Sequence, residues 1–206
     1  MEPAPEKGTR LLFPSGGKSN LVPFSVLEFW FGGDLTQSRA EWFRKDEKFD
    51  DEIRVRFGEL LEQAGRRELD DWRATPESML ALVIVLDQFS RNLRRNDPRA
   101  FENDPYALRC AKEAIARGDE SKLRPVQRQF LYLPFEHSEA MADQDRAVEL
   151  MLQLEAFPET KGLVAWAEKH RDVIRRFGRF PHRNAVLGRV STPEETEFLK
   201  QPGSGF

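Results

Sequence analysis

The sequence contains very little cysteine and no long apolar segment. Cys110 is the only cysteine among 206 residues, so the chain can form neither an intrachain disulfide nor a cysteine-based zinc site. The longest apolar run, residues 79–86, is far shorter than the roughly 20 residues that a membrane-spanning helix requires. Residues 1–20 also lack the apolar core of a signal peptide. These absences favour a soluble protein of the reducing cytoplasm.

The balance of charge argues against a general attraction to polyanions. The formal net charge is −3, from 32 lysines and arginines against 35 acidic residues, so we predict neither nucleic acid nor a membrane as a partner. Apolar residues make up 39% of the chain, which is enough for one buried core. We predict one domain over residues 22–200, between a disordered tail at 1–21 and a flexible tail at 201–206.

Alternating apolar and polar residues, which would indicate strands, are not visible between these tails. Apolar residues instead recur at steps of three and four from Phe49 to Ala64, which predicts a helix that ends near Gly65. Thr75 and Pro76 provide the cap and first position of another helix, and the apolar run that follows predicts that it is the central buried one. We therefore predict an all-α fold of about eight or nine helices, arranged as antiparallel pairs joined by short loops.

A further helix is predicted before Gly178, which sits where helices often end in a left-handed residue. Its apolar stripe is formed by Leu163, Trp166, Ala167, His170, Val173, Ile174 and Phe177. The stripe places His170 and Trp166 in the core. We interpret His170 as a structural histidine rather than as a ligand residue.

The segment 171–189 concentrates positive charge, with six arginines, one histidine and one carboxylate. Because Gly178 should end the helix, Arg179, His182, Arg183 and Asn184 are predicted to lie on a loop, where recognition groups are common. Arginine offers a planar set of donors that suits phosphate or carboxylate. The partner of these arginines is either a bound anion or the carboxylates of the protein itself, and both interpretations remain open.

Two acidic segments could provide such carboxylates or take part in catalysis. In the first, Glu136 and Glu139 follow Pro134, where we predict a break in the helix, and they flank His137. Helical metal sites use Glu-x-x-His, which this spacing does not match, so we predict no metal and no cofactor. In the second segment, Asp87 and Arg91 are four residues apart at the end of the apolar helix, which favours a local ion pair over a catalytic Asp87.

Four stretches in this order resemble a mainly bacterial family named domain of unknown function nine hundred and twenty-four: FWFG from Phe29, LDQFSRN, FLYLPFEHSE and RFGRFPHRNAVLGR. The resemblance spans residues 22–199, and Ser90 departs from the proline that is more frequent in the family. It implies an all-α array similar to tetratricopeptide helical pairs, and it brings no established reaction. It also implies that ten residues belong to the family's signature positions: Asp87, Arg91, Asn92, Glu136, His137, Glu139, Arg179, His182, Arg183 and Asn184.

Three hypotheses follow from these patterns. In the first, the signature segments converge on a pocket for a small anionic ligand, where His182 or His137 moves a proton and Glu136 or Glu139 orients the imidazole. The predicted ligand-binding residues are Arg179, Arg183, Asn184, Arg91, Asn92 and Asp87. In the second, the helical array binds a protein or peptide partner in a groove. In the third, the signature residues form a structural salt-bridge network. Whether the protein is an enzyme stays open.

Overall fold

The computed structural model describes residues 21–35 and 37–205, and this part of the chain folds into eight α-helices with no strand. Of the predicted tail at 1–21, residues 1–20 lie outside the described residues and Leu21 is the first residue of the first helix. The helices are α1 (Leu21–Phe31), α2 (Glu47–Gly65), α3 (76–93), α4 (Asp104–Ala116), α5 (Pro125–Glu136), α6 (Met141–Leu152), α7 (Val164–Phe177) and α8 (Pro193–Leu199). Short 3₁₀ turns connect several of them, including Pro98–Phe101 and Pro181–Arg183.

Helix α3 is the central helix of the molecule, as its composition predicts. Its first turn is held by a capping box, in which the hydroxyl of Thr75 accepts a hydrogen bond from the amide of Ser78 and Pro76 occupies the first helical position. Every residue from Met79 to Leu86 has no exposed surface. Helices α1, α4 and α5 pack around it.

Helix α2 covers one side of this core and ends at Gly65, as predicted. Asp46 caps its first turn by accepting hydrogen bonds from the amides of Lys48 and Phe49. The predicted apolar stripe is buried from Phe49 to Ala64. Among the described residues, no helix has both the length and the apolar character needed to cross a bilayer.

The carboxyl end of α3 departs from regular helical geometry. Residues Val85–Phe89 form a π-helical turn before α-helical hydrogen bonding resumes at Ser90–Leu93. The buried hydroxyl of Ser90 donates to the carbonyl of Leu86 at 2.7 Å and accepts from the side-chain amide of Asn103 at 3.2 Å. Ser90 thus ties the π turn to the start of α4. Such turns are often found at functional sites, and this one carries Asp87.

The predicted break at Pro134 is wrong, because α5 continues through this residue. The helix runs through Pro134 and ends at Glu136, with His137 as its C-cap. Buried side chains from Phe130 to Phe135 pack on both sides of the proline, and this packing outweighs the one backbone hydrogen bond that a proline removes. Glu136 is therefore the last helical residue, whereas Glu139 lies on the loop that follows.

Helix α7 ends at Gly178, whose φ of 69° is left-handed, as predicted for a helix stop. His170 is buried as predicted, but Trp166 is 54% exposed, so its assignment to the core is wrong. Trp166 lies one turn before His170 and near the start of the helix, where the ring stacks with the ammonium of Lys169 at 4.2 Å instead of entering the core. The loop after Gly178 returns across the end of α5 and leads to α8.

Candidate functional site

Segments that are far apart in the sequence meet at the carboxyl ends of α3 and α5. The imidazole Nδ1 of His137 lies 2.7 Å from Oδ1 of Asp87, although fifty residues separate them. Arg91 contacts the same oxygen at 3.0 Å and also reaches Asp104 at the start of α4. We call these four residues, Asp87, Arg91, Asp104 and His137, the charge cluster.

Asp87 is the buried centre of the charge cluster, with 1% of its side chain exposed. Burial opposes ionisation of its carboxyl, but Arg91 and His137 outweigh burial and hold the pKa well below its usual range. The side-chain amide of Gln88 donates to the second oxygen. Both oxygens of the carboxylate are therefore occupied by donors, and Asp87 is a fixed negative charge.

Arg91 joins two carboxylates within the charge cluster. Its guanidinium donates two parallel hydrogen bonds of 3.0 Å to Asp104 and a third, of 2.8 Å, to the backbone carbonyl of Asp87. Bidentate pairs of this kind are the strongest that arginine makes with a carboxylate. The predicted Asp87–Arg91 ion pair is thus present, but it is part of a larger buried cluster rather than a simple surface pair.

Arg183 is a second buried arginine beside Asp104, with 6% of its surface exposed. Its contact with Asp104 is long, at 3.5 Å, and its Nε has no hydrogen-bond partner among the described residues. The guanidinium instead lies over the rings of Phe101 and Phe180, at 4.7 and 4.5 Å. Burial and the neighbouring charge of Arg91 lower the pKa of Arg183 to about 10. Arg183 is therefore a buried cation that the protein itself neutralises incompletely.

An open cavity of about 400 Å³ lies beside Arg183 and His137. Its apolar wall is formed by Pro98, Phe101, Pro105, Leu108, Pro134 and Leu187. Its polar wall is formed by Glu102, Asp104, His137, Ser138, Glu139 and Arg183. The cavity is large enough for a small organic molecule.

His137 lines this cavity, and its surroundings favour the neutral form of the imidazole. Burial and the charge of Arg91 lower its pKa, although Asp87 opposes this effect. Asp87 is an ionised carboxylate and can only accept a hydrogen bond, so the proton of the neutral imidazole must lie on Nδ1. The other ring nitrogen, Nε2, then carries a lone pair.

Glu136 points away from the cavity, toward His170 in the core. Its Oε2 lies 3.4 Å from Nδ1 of His170, and that nitrogen also donates to the carbonyl of Trp166 at 2.8 Å. Burial, together with the charge of Asp87, raises the pKa of Glu136 to about 8. Burial lowers the pKa of His170 to about 3. The pair is uncharged at neutral pH, and Glu136 is not the group that orients His137.

Glu139 and His182 both contact Phe180. Glu139 lines the cavity and accepts two hydrogen bonds from Arg189, at 2.8 and 3.0 Å, and one from the amide of Phe180, at 2.8 Å. The ring of His182 lies 5.5 Å from that of Phe180. Burial and the charge of Arg183 lower the pKa of His182 to about 4. His137, rather than His182, lines the cavity.

Three predicted ligand-binding residues have partners in the protein away from the cavity. Asn92 donates to Asp50 on α2 at 2.7 Å. Arg179 forms a bidentate pair with Glu195 at 2.6 and 2.8 Å, and Asn184 donates to Ser191 at 3.0 Å. The Arg179–Glu195 pair joins the loop after α7 to α8, and the Asn92–Asp50 contact joins α3 to α2.

The sequence interpretation missed Asp104, Arg189 and Glu195. Asp104 is the first residue of α4, next to the N-cap Asn103, and a carboxylate there is also typical of a helix start. Glu195 could have been found, since it lies three residues after Thr192 and completes a capping box. Arg189 offered no such signal. In the described residues no three carboxylate, histidine or cysteine side chains are grouped so that they could hold a metal ion.

The described residues define an all-helical protein in which a buried charge cluster adjoins a small cavity. The chain belongs to the family described as bacterial protein of unknown function (DUF924), which matches residues 26–203. The family resemblance and the all-α fold predicted from the sequence are thereby confirmed, and eight helices agree with the predicted eight or nine. The tetratricopeptide-like arrangement stays a prediction.

A solved structure supports the same fold. The chain is similar to the structure of protein of unknown function ATU0120 from Agrobacterium tumefaciens, with 41% identity and a TM-score of 0.81. The similarity covers 89% of this chain and 99% of that one. No curated protein matches the chain.

Proposed function

We propose that the cavity beside Arg183 binds a small organic molecule that carries a single carboxylate or a similar monoanionic group. The observation that carries this proposal is the incomplete neutralisation of Arg183. A buried guanidinium normally has several charge-assisted hydrogen bonds, whereas this one has a single long contact of 3.5 Å with Asp104. A ligand carboxylate would supply the missing acceptors.

The surroundings of Arg183 restrict the charge of the ligand. Arg91 pairs with both Asp87 and Asp104 at 3.0 Å, and Arg189 pairs with Glu139 at 2.8 Å. Of these three arginines, Arg183 has the longest contact with a carboxylate, at 3.5 Å. Asp104, Glu102 and Glu139 also line the cavity and would repel a multiply charged anion. A monocarboxylate fits this balance better than a phosphate dianion does.

The apolar wall restricts the body of the ligand. Phe101, Leu108 and Leu187 are among its side chains, and Pro98, Pro105 and Pro134 complete it. Burying an apolar group here would contribute roughly 25 cal/mol for each Å² removed from water. We therefore favour a ligand with an apolar or aromatic body attached to its carboxylate.

The proposal is tested by thermal unfolding of the wild type, Arg183→Gln and Arg175→Gln with benzoate, acetate and inorganic phosphate. Arg175 is a matched control, because it lies on the exposed face of α7 and pairs only with Asp172. A ligand at a hundredfold its Kd stabilises the folded state by about 2.7 kcal/mol, which raises Tm by about 5 to 11 °C in a chain of this length. We expect benzoate to raise the Tm of the wild type and of Arg175→Gln but not of Arg183→Gln.

Two results would contradict the proposal. One is an equal shift in Arg183→Gln, which would place the carboxylate elsewhere. The other is the absence of any shift with benzoate, together with an unchanged Nε–H signal of Arg183 in a ¹H–¹⁵N spectrum recorded with the same probe. A larger shift with phosphate than with benzoate would contradict the preference for a monoanion.

A further inference from the structure

The carboxylate of Asp87 and the imidazole of His137 are joined by one hydrogen bond. Oδ1 of Asp87 lies 2.7 Å from Nδ1 of His137, which is an ordinary length for a charge-assisted hydrogen bond. Because an ionised carboxylate has no proton to donate, Nδ1 is the donor. This contact fixes both the tautomer and the orientation of the ring.

The carboxylate cannot easily turn away from the histidine or take its proton. Arg91 forms an ion pair with the same oxygen of Asp87 and donates to its backbone carbonyl, and Gln88 donates to the other carboxylate oxygen. Asp87 also lies on the π turn of a helix whose residues on both sides are buried. Its position is therefore set by several independent contacts, and the position of the imidazole follows from it.

The opposite edge of the ring is available to a molecule in the cavity. His137 lines the cavity, and the described residues give its Nε2 no hydrogen-bond partner. Arg183 and Glu139 line the same cavity. His137, Arg183 and an apolar wall therefore line a common space of about 400 Å³.

We propose that His137 is a catalytic base in this cavity and accepts a proton at Nε2 from a ligand hydroxyl or amine, or from a water molecule beside the ligand. Asp87 is the positioning residue, since it stabilises the imidazolium that forms. In this step an O–H or N–H bond of the donor breaks, its electron pair stays on the donor, and a new N–H bond forms at Nε2. The identity of the proton donor rests on the proposed ligand binding at Arg183, but the basicity of Nε2 does not.

The other imidazoles are less suited to this role. His170 faces Glu136 and the carbonyl of Trp166, so its contacts belong to the core. His182 is not part of the cavity wall. Ser138 is next to His137 and lines the cavity, but its hydroxyl donates to Asp143 at 2.8 Å. Water or the ligand, rather than Ser138, is therefore the expected proton donor.

The first measurement is the tautomer of His137 in the wild type, from ¹⁵N-detected histidine spectra at pH 7 without any ligand. We expect the Nδ1–H form for His137, and Asp87→Asn to convert it to the Nε2–H form, because the asparagine amide can donate to Nδ1. Asp172→Asn, a change on the exposed face of α7, is the matched control and should leave the spectrum unchanged. A wild-type His137 in the Nε2–H form would overturn the proposal.

The second measurement is the rate at which diethyl pyrocarbonate modifies each histidine, followed by mass spectrometry of peptides. Nε2 attacks a carbonyl carbon of the reagent, an N–C bond forms and a C–O bond of the anhydride breaks. The departing ethyl carbonate takes up the proton lost from Nδ1 and decomposes to ethanol and carbon dioxide. We expect His137 to react faster than His170, and Asp87→Asn to slow His137 by about tenfold or more, since the wrong tautomer lacks the lone pair. An unreactive His137 in the folded wild type would also overturn the proposal.

A third comparison connects the base to the ligand. His137→Asn keeps an amide donor for Asp87 and removes Nε2 with the outer part of the ring, so it should fold and still show the benzoate-induced rise in Tm. Benzoate should protect His137 from modification in the wild type but not in Arg183→Gln. Benzoate binding without protection would separate the base from the ligand site and contradict the proposal, whereas failure of benzoate to bind leaves the tautomer and reactivity results intact.

Discussion

Glu136 and His170 face each other across the core at 3.4 Å, and both side chains are uncharged at neutral pH. A carboxyl and an imidazole at this distance would ordinarily form an ion pair. Here burial favours the neutral form of each group, and the negative charge of Asp87 further disfavours a second carboxylate nearby. The pair therefore makes the stability of the fold depend on pH in both directions.

The first prediction concerns this pH dependence. The folded pKa of Glu136, about 8, exceeds its unfolded value of 4.5, so its contribution to stability is complete below pH 4.5 and is lost as the pH rises toward 8. The folded pKa values of His170 and His182, about 3 and 4, lie below 6.5, so their contribution is complete above pH 6.5 and is lost as the pH falls. The pKa of His137 is lowered as well, so the three histidines together outweigh Glu136 below pH 6.5, and the loss from Glu136 predominates only as the pH rises further toward 8.

We therefore expect the free energy of unfolding to be greatest between pH 6.5 and 7 and to fall by about 1 kcal/mol by pH 8. Urea unfolding at a series of pH values measures this curve. Glu136→Gln should remove the fall above pH 6.5, while Glu149→Gln, on the exposed face of α6, should retain it. A fall of the same size in Glu136→Gln would show that another group is responsible.

The second prediction concerns the thiol of Cys110 on α4. The side chain has no exposed surface, and burial raises its pKa to about 11, so almost no thiolate exists at pH 8. We expect no reaction with 5,5′-dithiobis(2-nitrobenzoate) in the native protein and one equivalent of thiol after denaturation in urea. Rapid reaction of the native protein at pH 8 would show that α4 opens readily from α3.

Local signals in the sequence were sufficient for most of the helices. Thr75 begins α3 and Gly178 ends α7 because the cap and the left-handed stop are properties of a few adjacent residues. The π turn at Val85–Phe89 was not predictable in this way. The π turn lies in a helix that is apolar on every face. The hydrophobic periodicity is therefore the same with or without the turn, and it cannot reveal it.

Some members of the candidate site were predictable from the sequence, but their pairing was not. The sequence assigned Asp87, His137 and Arg183 to one pocket, and these residues do lie close to the same cavity. It did not identify Asp87 as the partner of His137, because that choice depends on how α3 and α5 pack and not on spacing along the chain. The adjacent glutamates appeared more suitable, but α5 runs through Pro134 and turns Glu136 toward the core.

The third prediction concerns Arg179, which we expect to be structural rather than ligand-binding. Its side chain holds Glu195, and Glu195 also accepts the amide of Thr192 at 2.7 Å in the capping box of α8. Arg179→Ala should lower Tm because it leaves the buried Glu195 with fewer donors, and it should leave the benzoate-induced shift unchanged. Arg176→Ala is the control, since Arg176 pairs with the exposed Glu194 on the same helix. Loss of the benzoate shift in Arg179→Ala alone would return this residue to the ligand site.

The fourth prediction separates the two arginines that share Asp104. Arg91→Met leaves Asp87 and Asp104 without their main cation, and breaking a buried pair in this way costs about 3 to 5 kcal/mol. Arg183→Met leaves Asp104 paired with Arg91, and the methionine can still pack between Phe101 and Phe180, so we expect a loss below about 1 kcal/mol.

Urea unfolding of both variants at pH 7 measures this difference. A small loss for Arg183→Met together with a large loss for Arg91→Met would mean that Arg91 holds the helices together, whereas Arg183 is kept as a buried cation for another reason. Equal losses would make Arg183 a full member of the structural network. In that case its long contact with Asp104 would no longer argue for a ligand, and the binding proposal would lose the observation that carries it.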